Sequence, residues 1–220
     1  MALSRLNYNS LNVTPTASKG IGFDSGADDL AATFSGGSMT FIKKLTASSS
    51  STLSFVDVAS DVVLDNTYKE YLFTFNNIHP SAADGRFAFN VSIDSGSNYN
   101  VAKSTTHFRA YQFESGSSSA VSYQDDDDLA LGTGVQNIFN TDLGDDNDQS
   151  LGGYLHLFAP SDTTFVKHFL GSSQASSAND TTTQCFFAGY ANTASAIDAV
   201  QFSMTSGNID SGTISLFGIS

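Results

Sequence analysis

The chain has no tryptophan, one cysteine, three prolines and only nine Lys or Arg in 220 residues. Each shortage excludes something. The single cysteine, Cys185, permits no intrachain disulfide. It lies in the apolar run Cys185-Phe-Phe-Ala-Gly189 and reads as a buried, inert thiol rather than a nucleophile. The few basic residues are unevenly placed. Residues 1–110 carry eight of them against nine acids, whereas residues 111–220 carry only Lys167 against thirteen acids. The net charge is −13. Such a surface cannot displace counterions from phosphates, so no nucleic-acid partner is expected. Anionic membranes are disfavoured for the same reason. No apolar run approaches the roughly 20 residues needed to span a bilayer, so no membrane insertion is expected. The segment Met1-Ala-Leu-Ser-Arg-Leu-Asn-Tyr8 lacks the apolar core of a signal peptide, and the sequons at Asn12, Asn90 and Asn179 read as chance in an Asn/Ser/Thr-rich chain.

Motifs of chemistry are scarce too. Glu70 and Glu114 are the only glutamates. His79, His107, His156 and His168 are far apart, and none has zinc-ligand spacing to Cys185 or to another histidine. There is no Gly-x-Ser-x-Gly, no phosphate loop and no dinucleotide fingerprint. With 20 Asp, an adjacent carboxylate pair is expected by chance and does not by itself make a glycosidase. No catalytic residue, metal ligand or cofactor is therefore assigned, and the chain is expected not to be an enzyme. Two acidic runs stand out, Asp125-Asp-Asp-Asp128 and Asp142-Leu-Gly-Asp-Asp-Asn-Asp148. Adjacent residues of an extended chain point to opposite faces, so four consecutive aspartates read as a solvated loop rather than a converging calcium site. The second run has calcium-like oxygen spacing but lacks the Gly and downstream Glu of an EF-hand.

What the sequence does have is 18 Phe, 8 Tyr and a high content of Ser, Thr, Asn and Gly, with no long stretch at helical spacing. Period-two runs recur. Phe87, Phe89, Val91 and Ile93 alternate with Ala88, Asn90, Ser92 and Asp94, which predicts one apolar and one polar face. Strands are also predicted over 40–45, 52–58, 71–78, 105–113, 154–158, 164–170 and 184–190, with one helical turn over 65–71. Val200–Thr205 and Thr213–Ser220 alternate on either side of a loop holding Gly207, Asn208, Asp210 and Gly212, and predict an antiparallel hairpin. About ten short strands imply one antiparallel β-sandwich over residues 39–220, of the jelly-roll kind. Residues 1–38 differ. Isolated apolar residues, Leu6, Tyr8, Leu11, Val13, Ile21 and Phe23 among them, are separated by Gly, Ser and Thr. They predict an extended arm that orders on another surface for attachment or oligomerisation. Apolar strand faces such as Phe186/Tyr190 and His168/Leu170 are expected to meet other subunits or the second sheet of the sandwich.

The closing segment Ser206-Gly-Asn-Ile-Asp-Ser-Gly-Thr-Ile-Ser-Leu-Phe-Gly-Ile219 resembles the C-terminal hairpin of tailed-bacteriophage virion proteins, notably tail-fibre-like β-sandwich proteins of marine phages. Tyr68–Pro80, Phe89–Tyr99 and Gly153–Pro160 look similar to that group, as does Gly20–Leu30 to the linker ahead of its fibre heads. The resemblance implies a non-enzymatic virion component of the tail-fibre or receptor-binding type, commonly a homotrimer. It would lie on the tail or capsid exterior, among other virion proteins, with a host-surface glycan or protein as target. A capsid decoration (cement) or fibre-adaptor protein is the alternative, because no coiled-coil, collagen or β-helix shaft is present. A carbohydrate-binding or carbohydrate-cleaving module is a third reading, with Tyr99, Tyr111 and Tyr123 as platforms. Exposed-loop contacts are expected from Tyr99, Tyr123, Asp125, Asp126, Asp127 and Asp128, on loops around 95–103, 115–128 and 140–150 that face outwards.

Overall fold

A computed structural model describes the backbone of residues 20–23 and 30–34 and the whole of residues 38–220. The chain divides into two compact units, Met1–Thr40 and Phe41–Ser220. In the first, β1 (Gly20–Phe23) and β2 (Leu30–Phe34) pair antiparallel, with a bulge between Gly20 and Gly22. The expected arm anchors Leu6, Tyr8, Leu11 and Val13 lie outside the described residues. For Ile21 and Phe23 the description stops at the backbone of β1.

The second unit is all-β among the described residues. Its strands are β3 (Met39–Thr46), β4 (Thr52–Val56), β5 (Glu70–Pro80), β6 (Phe87–Ser92), β7 (Lys103–Phe113), β8 (Ser119–Tyr123), β9 (Ala130–Gly132), β10 (Gln136–Asn137), β11 (Leu151–Phe158), β12 (Lys167–Ser177), β13 (Thr181–Ala191), β14 (Ala199–Met204) and β15 (Ile209–Ile219). They form two antiparallel sheets. The larger, of nine strands, runs β3-β15-β5-β11-β12-β13-β7-β8, with β9 also on β7; the smaller runs β10-β6-β14-β4.

The two sheets pack face to face through phenylalanine. On β5, Tyr71, Phe73 and Phe75 are buried while Leu72 and Thr74 are half-exposed, as a period of two requires. Phe202 of β14 lies at the centre of the core. Its ring is 5.4 Å from Phe73, 5.3 Å from Phe75 and 5.8 Å from Phe87, and 6.2 Å and 6.4 Å from Phe55 and Phe89. Phe89 reaches across to Phe169 of β12 at 5.1 Å. Full burial of one such side chain is worth about 1.5–3 kcal/mol, and favourable ring geometry adds about 0.5–1.5 kcal/mol per pair.

Four expectations need correction. The closing strands are not a hairpin. β14 pairs with β4 and β6 in the small sheet, while β15 pairs with β5 in the large one. The Thr205–Asn208 loop therefore carries the chain from one sheet to the other. Period two fixes which side chains share a face but not which strand is the partner. β6 has no solvated face, because all six of its residues are buried. Asn90 donates from Nδ2 to the carbonyls of Tyr99 (2.6 Å) and Thr133 (3.1 Å), which lays two loops over the expected polar side. β12 begins at Lys167 and not Thr164, because Asp162 Oδ1 accepts from the N–H groups of Thr164 (2.6 Å) and Phe165 (2.7 Å) and holds them in a turn. The helical turn over 65–71 is absent. Asp65 Oδ1 binds the Thr67 N–H at 2.8 Å, and Tyr71 already belongs to β5.

One bulge has a glycine requirement. Gly212 has φ +112° where β15 shifts register against β5, and a Cβ there would stand 2.5 Å from the Asn77 carbonyl oxygen.

Candidate functional site

Of the two acidic runs, Asp125-Asp-Asp-Asp128 is only partly a solvated loop. Asp125 and Asp126 are exposed and Asp128 is half-exposed, but Asp127 is buried and cannot serve as an exposed contact. Its Oδ1 accepts from Arg86 Nη1 at 3.0 Å and from Asn137 Nδ2 at 2.6 Å. Gln136 Nε2 donates to its main-chain carbonyl at 3.0 Å. A buried carboxylate needs such partners, since desolvation alone would cost several kcal/mol. Successive aspartates do point to opposite sides, and one of those sides is the interior. The segment ahead of this run is also not all loop, because residues 119–123 form the edge strand β8 on β7.

The exposed phenol of Tyr123 donates to Asp128, which raises its pKa. Tyr99 is half-buried over its own loop, near Gly96. Tyr111 lies under the Arg109 guanidinium, 5.0 Å from ring centre to Cζ. The three tyrosines proposed as sugar platforms thus belong to different places. In the second acidic run, Arg86 Nε is 3.9 Å from Asp142, and the Asp146 carbonyl faces His79 Nε2 at 3.2 Å. No group of three or more His, Cys, Asp or Glu positioned for a metal ion occurs among the described residues.

The histidines separate by strand parity. His107 points inward on β7, fully buried, with neither ring nitrogen hydrogen-bonded, and burial lowers its pKa. Cys185 is fully buried, its thiol donating to Asn140 Oδ1 at 3.4 Å, and burial pushes its pKa up to about 12. His156 and His168 lie on the opposite, outer face of the large sheet. His156 pairs through Nδ1 with Glu70, and His168 meets the Tyr190 ring at 6.1 Å.

That outer face is the most unusual surface of the unit. The inner parity of β12 and β13 supplies Phe169, Cys185 and Phe187 to the core, so Leu170, Phe186 and Tyr190 must face away from the small sheet. Of the two expectations for these residues, contact with the second sheet is therefore excluded. Register aligns them in rows across the sheet. One row runs Tyr154, Ser172, Phe186, Phe108 and Tyr123, and the next runs Phe217, Leu72, His156, Leu170 and Ala188. Phe108 and Phe186 stack at 5.0 Å, and His156 stacks on Phe158 at 6.2 Å. Leu170 and Phe108 are each 43% exposed, Phe165 69%. Two depressions of about 440 and 520 Å³ share Phe158 and His168.

Sequence reasoning found His168, Leu170, Phe186 and Tyr190 but missed Tyr154, Phe158 and Phe108. The available signal was apolar residues at both parities of one strand, as in Tyr154-Leu-His-Leu-Phe158. Arg86 and Arg109 were also missed, and an isolated arginine in a strand-like run gives no local signal. No protein-family model matches the chain, and no curated protein or solved structure is similar to it.

Proposed function

We propose that the chain is a non-enzymatic structural component of a phage virion, of the tail-fibre or receptor-binding type, that assembles as a homotrimer through the outer face of its large sheet. The observation that carries the reading is the aromatic and aliphatic surface formed by Tyr154, Phe158, Leu170, Phe186 and Phe108. A contiguous apolar face on a sheet already packed on its other side is an assembly surface or an aggregation hazard. A second copy of the chain is the partner proposed: the acidic loop 142–148 belongs to no strand of this face, and the loop 125–128 meets it only at the β8 edge, where Asp128 accepts from the Tyr123 phenol. We read the two-sheet unit as a jelly-roll type of sandwich, supported by the pairing of distant segments, β4 with β14 and β5 with β15. Residues 1–38 act as the attachment arm to other virion proteins on the tail or capsid exterior.

The test is the mass of the purified chain by sedimentation equilibrium, with the Phe108→Ser/Leu170→Ser variant beside it. The wild type is expected to be trimeric and the variant monomeric with unchanged far-UV circular dichroism. A monomeric wild type at about 100 μM would refute assembly through this face. Labelled protein added to particles that lack it distinguishes tail from capsid, and binding to neither would refute the virion assignment.

A further inference from the structure

We propose that the inner face of the large sheet, where the small sheet stops short of it, carries a groove for a neutral saccharide. The inference deepens the receptor-binding part of the function proposed above and rests on it. Two cavities of about 270 and 240 Å³ adjoin there and share Arg109, Thr141 and Asn179. Each is slightly below the roughly 300 Å³ at which ordinary ligand pockets begin, and together they form one elongated groove.

The groove is built and not merely a surface dip. Asp127, with a side chain 3% exposed, is fixed in its wall by Arg86 and Asn137. Its hydrogen-bonding capacity is unfilled. Arg109 Nε and Thr141 Oγ1 are buried without a partner, although both side chains line the cavities. His107, two residues before Arg109 and on the same side of β7, also has both ring nitrogens unpartnered. Each such group costs about 1–3 kcal/mol if left unsatisfied, so their clustering beside a cavity points to a polar occupant.

The lining chooses the class of occupant. Donors (Arg109, Asn179) and acceptors (Asp125, Asp126, Asp142) line one space. A hydroxyl both donates and accepts, so a polyol satisfies both sets at once. Four carboxylates against two guanidiniums disfavour phosphate, sulfate or a sugar acid. A cation is disfavoured by Arg109, which borders both cavities, and by the lack of a metal-holding carboxylate or histidine group among the described residues. The Tyr111 and Phe113 rings, 5.9 Å apart, give the second cavity an apolar wall suited to the C–H face of a pyranose.

The full-length chain is to be probed by calorimetry and by proton–nitrogen correlation spectra with neutral hexose oligosaccharides. Sialylated and amine-bearing oligosaccharides and calcium serve as competing ligands. Binding of the neutral sugars, at least about tenfold weaker in Asn179→Ala and in Asp126→Asn but unchanged in Tyr190→Ala on the outer face, supports the groove. Asn179 and Asp126 are exposed, so both variants are expected to fold, and circular dichroism checks it. No neutral-sugar binding at about 10 mM overturns the inference, as does preference for a charged ligand or unchanged affinity in both variants. If the protein trimerises and joins particles yet binds no sugar, the groove is wrong and the virion role stands. If sugar binds at the groove but the chain neither trimerises nor joins particles, the virion role is wrong.

Discussion

Lys103 offers a quantitative test of the fold through pH. It lies fully buried on the inner face of β7, and its ammonium donates to Asn90 Oδ1 at 2.6 Å and to the Val101 carbonyl at 3.0 Å. Both acceptors are neutral, so nothing offsets the loss of hydration with an opposite charge. Burial lowers its pKa from 10.5 to about 8. Below about pH 8 the folded and unfolded chains both hold the proton, and the penalty for burying charge is fully present. Between about pH 8 and 10.5 the folded chain releases the proton while the unfolded chain keeps it, so stability rises with pH. At about 1.4 kcal/mol per pH unit the whole penalty is about 3 kcal/mol, of which about 2.5 kcal/mol is recovered between pH 7 and pH 10.

Lys103→Met removes the titrating group while keeping an unbranched side chain. It leaves the Val101 carbonyl without this donor, a pH-independent cost of about 1–3 kcal/mol, whereas Asn90 Oδ1 still accepts from the Val91 N–H. The slope is therefore more informative than the offset. Urea unfolding of both proteins at pH 7 and pH 10 should show the stability difference, wild type minus variant, moving by about 2.5 kcal/mol in favour of the wild type. Tyr71 has its pKa raised by burial, and it loses its contribution as pH climbs past the unfolded phenol value; that loss is common to both proteins and cancels. A difference that stays flat within about 0.5 kcal/mol would mean that Lys103 is hydrated or neutral throughout, and would refute the reasoning.

Two further outcomes follow from the core. Phe202→Ala, which removes a ring touching five others, should cost about 4 kcal/mol and lower Tm by about 8–16 °C; a loss under about 1.5 kcal/mol in calorimetry would contradict its central place. Cys185 should resist a thiol-reactive dye at pH 8 in the native protein and react on denaturation, because burial holds the thiol pKa near 12; fast native labelling would contradict its burial.

The strands were largely legible in the sequence, because alternation reports on faces directly. Tyr71–Ile78 and Gln184–Tyr190 were recovered with ends a few residues short. Partners were not legible. Val200–Thr205 and Thr213–Ser220 have the pattern of a hairpin, yet Phe202 pairs opposite Phe89 and Leu53 while Leu216 pairs opposite Phe73. Short strands such as β8, β9 and β10 escaped because they pair at edges or under loops, where Ser, Gly and Gln replace alternating apolar residues. The candidate site was less legible still. The Arg86 bond to Asp127 joins residues 41 apart in sequence; no local pattern marks Arg86, and none tells Asp127 from the other aspartates of its run.

One signal does connect the sequence to the groove, and it lies in how the inner parity changes along β13. On β13 the inward residues run Thr181, Thr183, Cys185, Phe187, from hydroxyl to aromatic. The Phe187 end lies near Phe89 of the small sheet at 6.3 Å, while the Thr181 end lines the groove with Arg109 and Asn179. β7 does not repeat the division: its inward residues Lys103, Thr105 and His107 are polar and buried ahead of the groove, and Arg109, Tyr111 and Phe113 line it. A nine-stranded sheet cannot be covered by four strands, so part of its inner face must be finished by loops. Loops bring carbonyls and amides, and a polar strand face is the partner that satisfies them, as the Ser173 hydroxyl does for the Ile138 carbonyl at 2.7 Å. The same mismatch in sheet size that forces polar residues inward leaves the space they line. On β13 the polar inner residues confined to one end therefore mark where this sandwich is open.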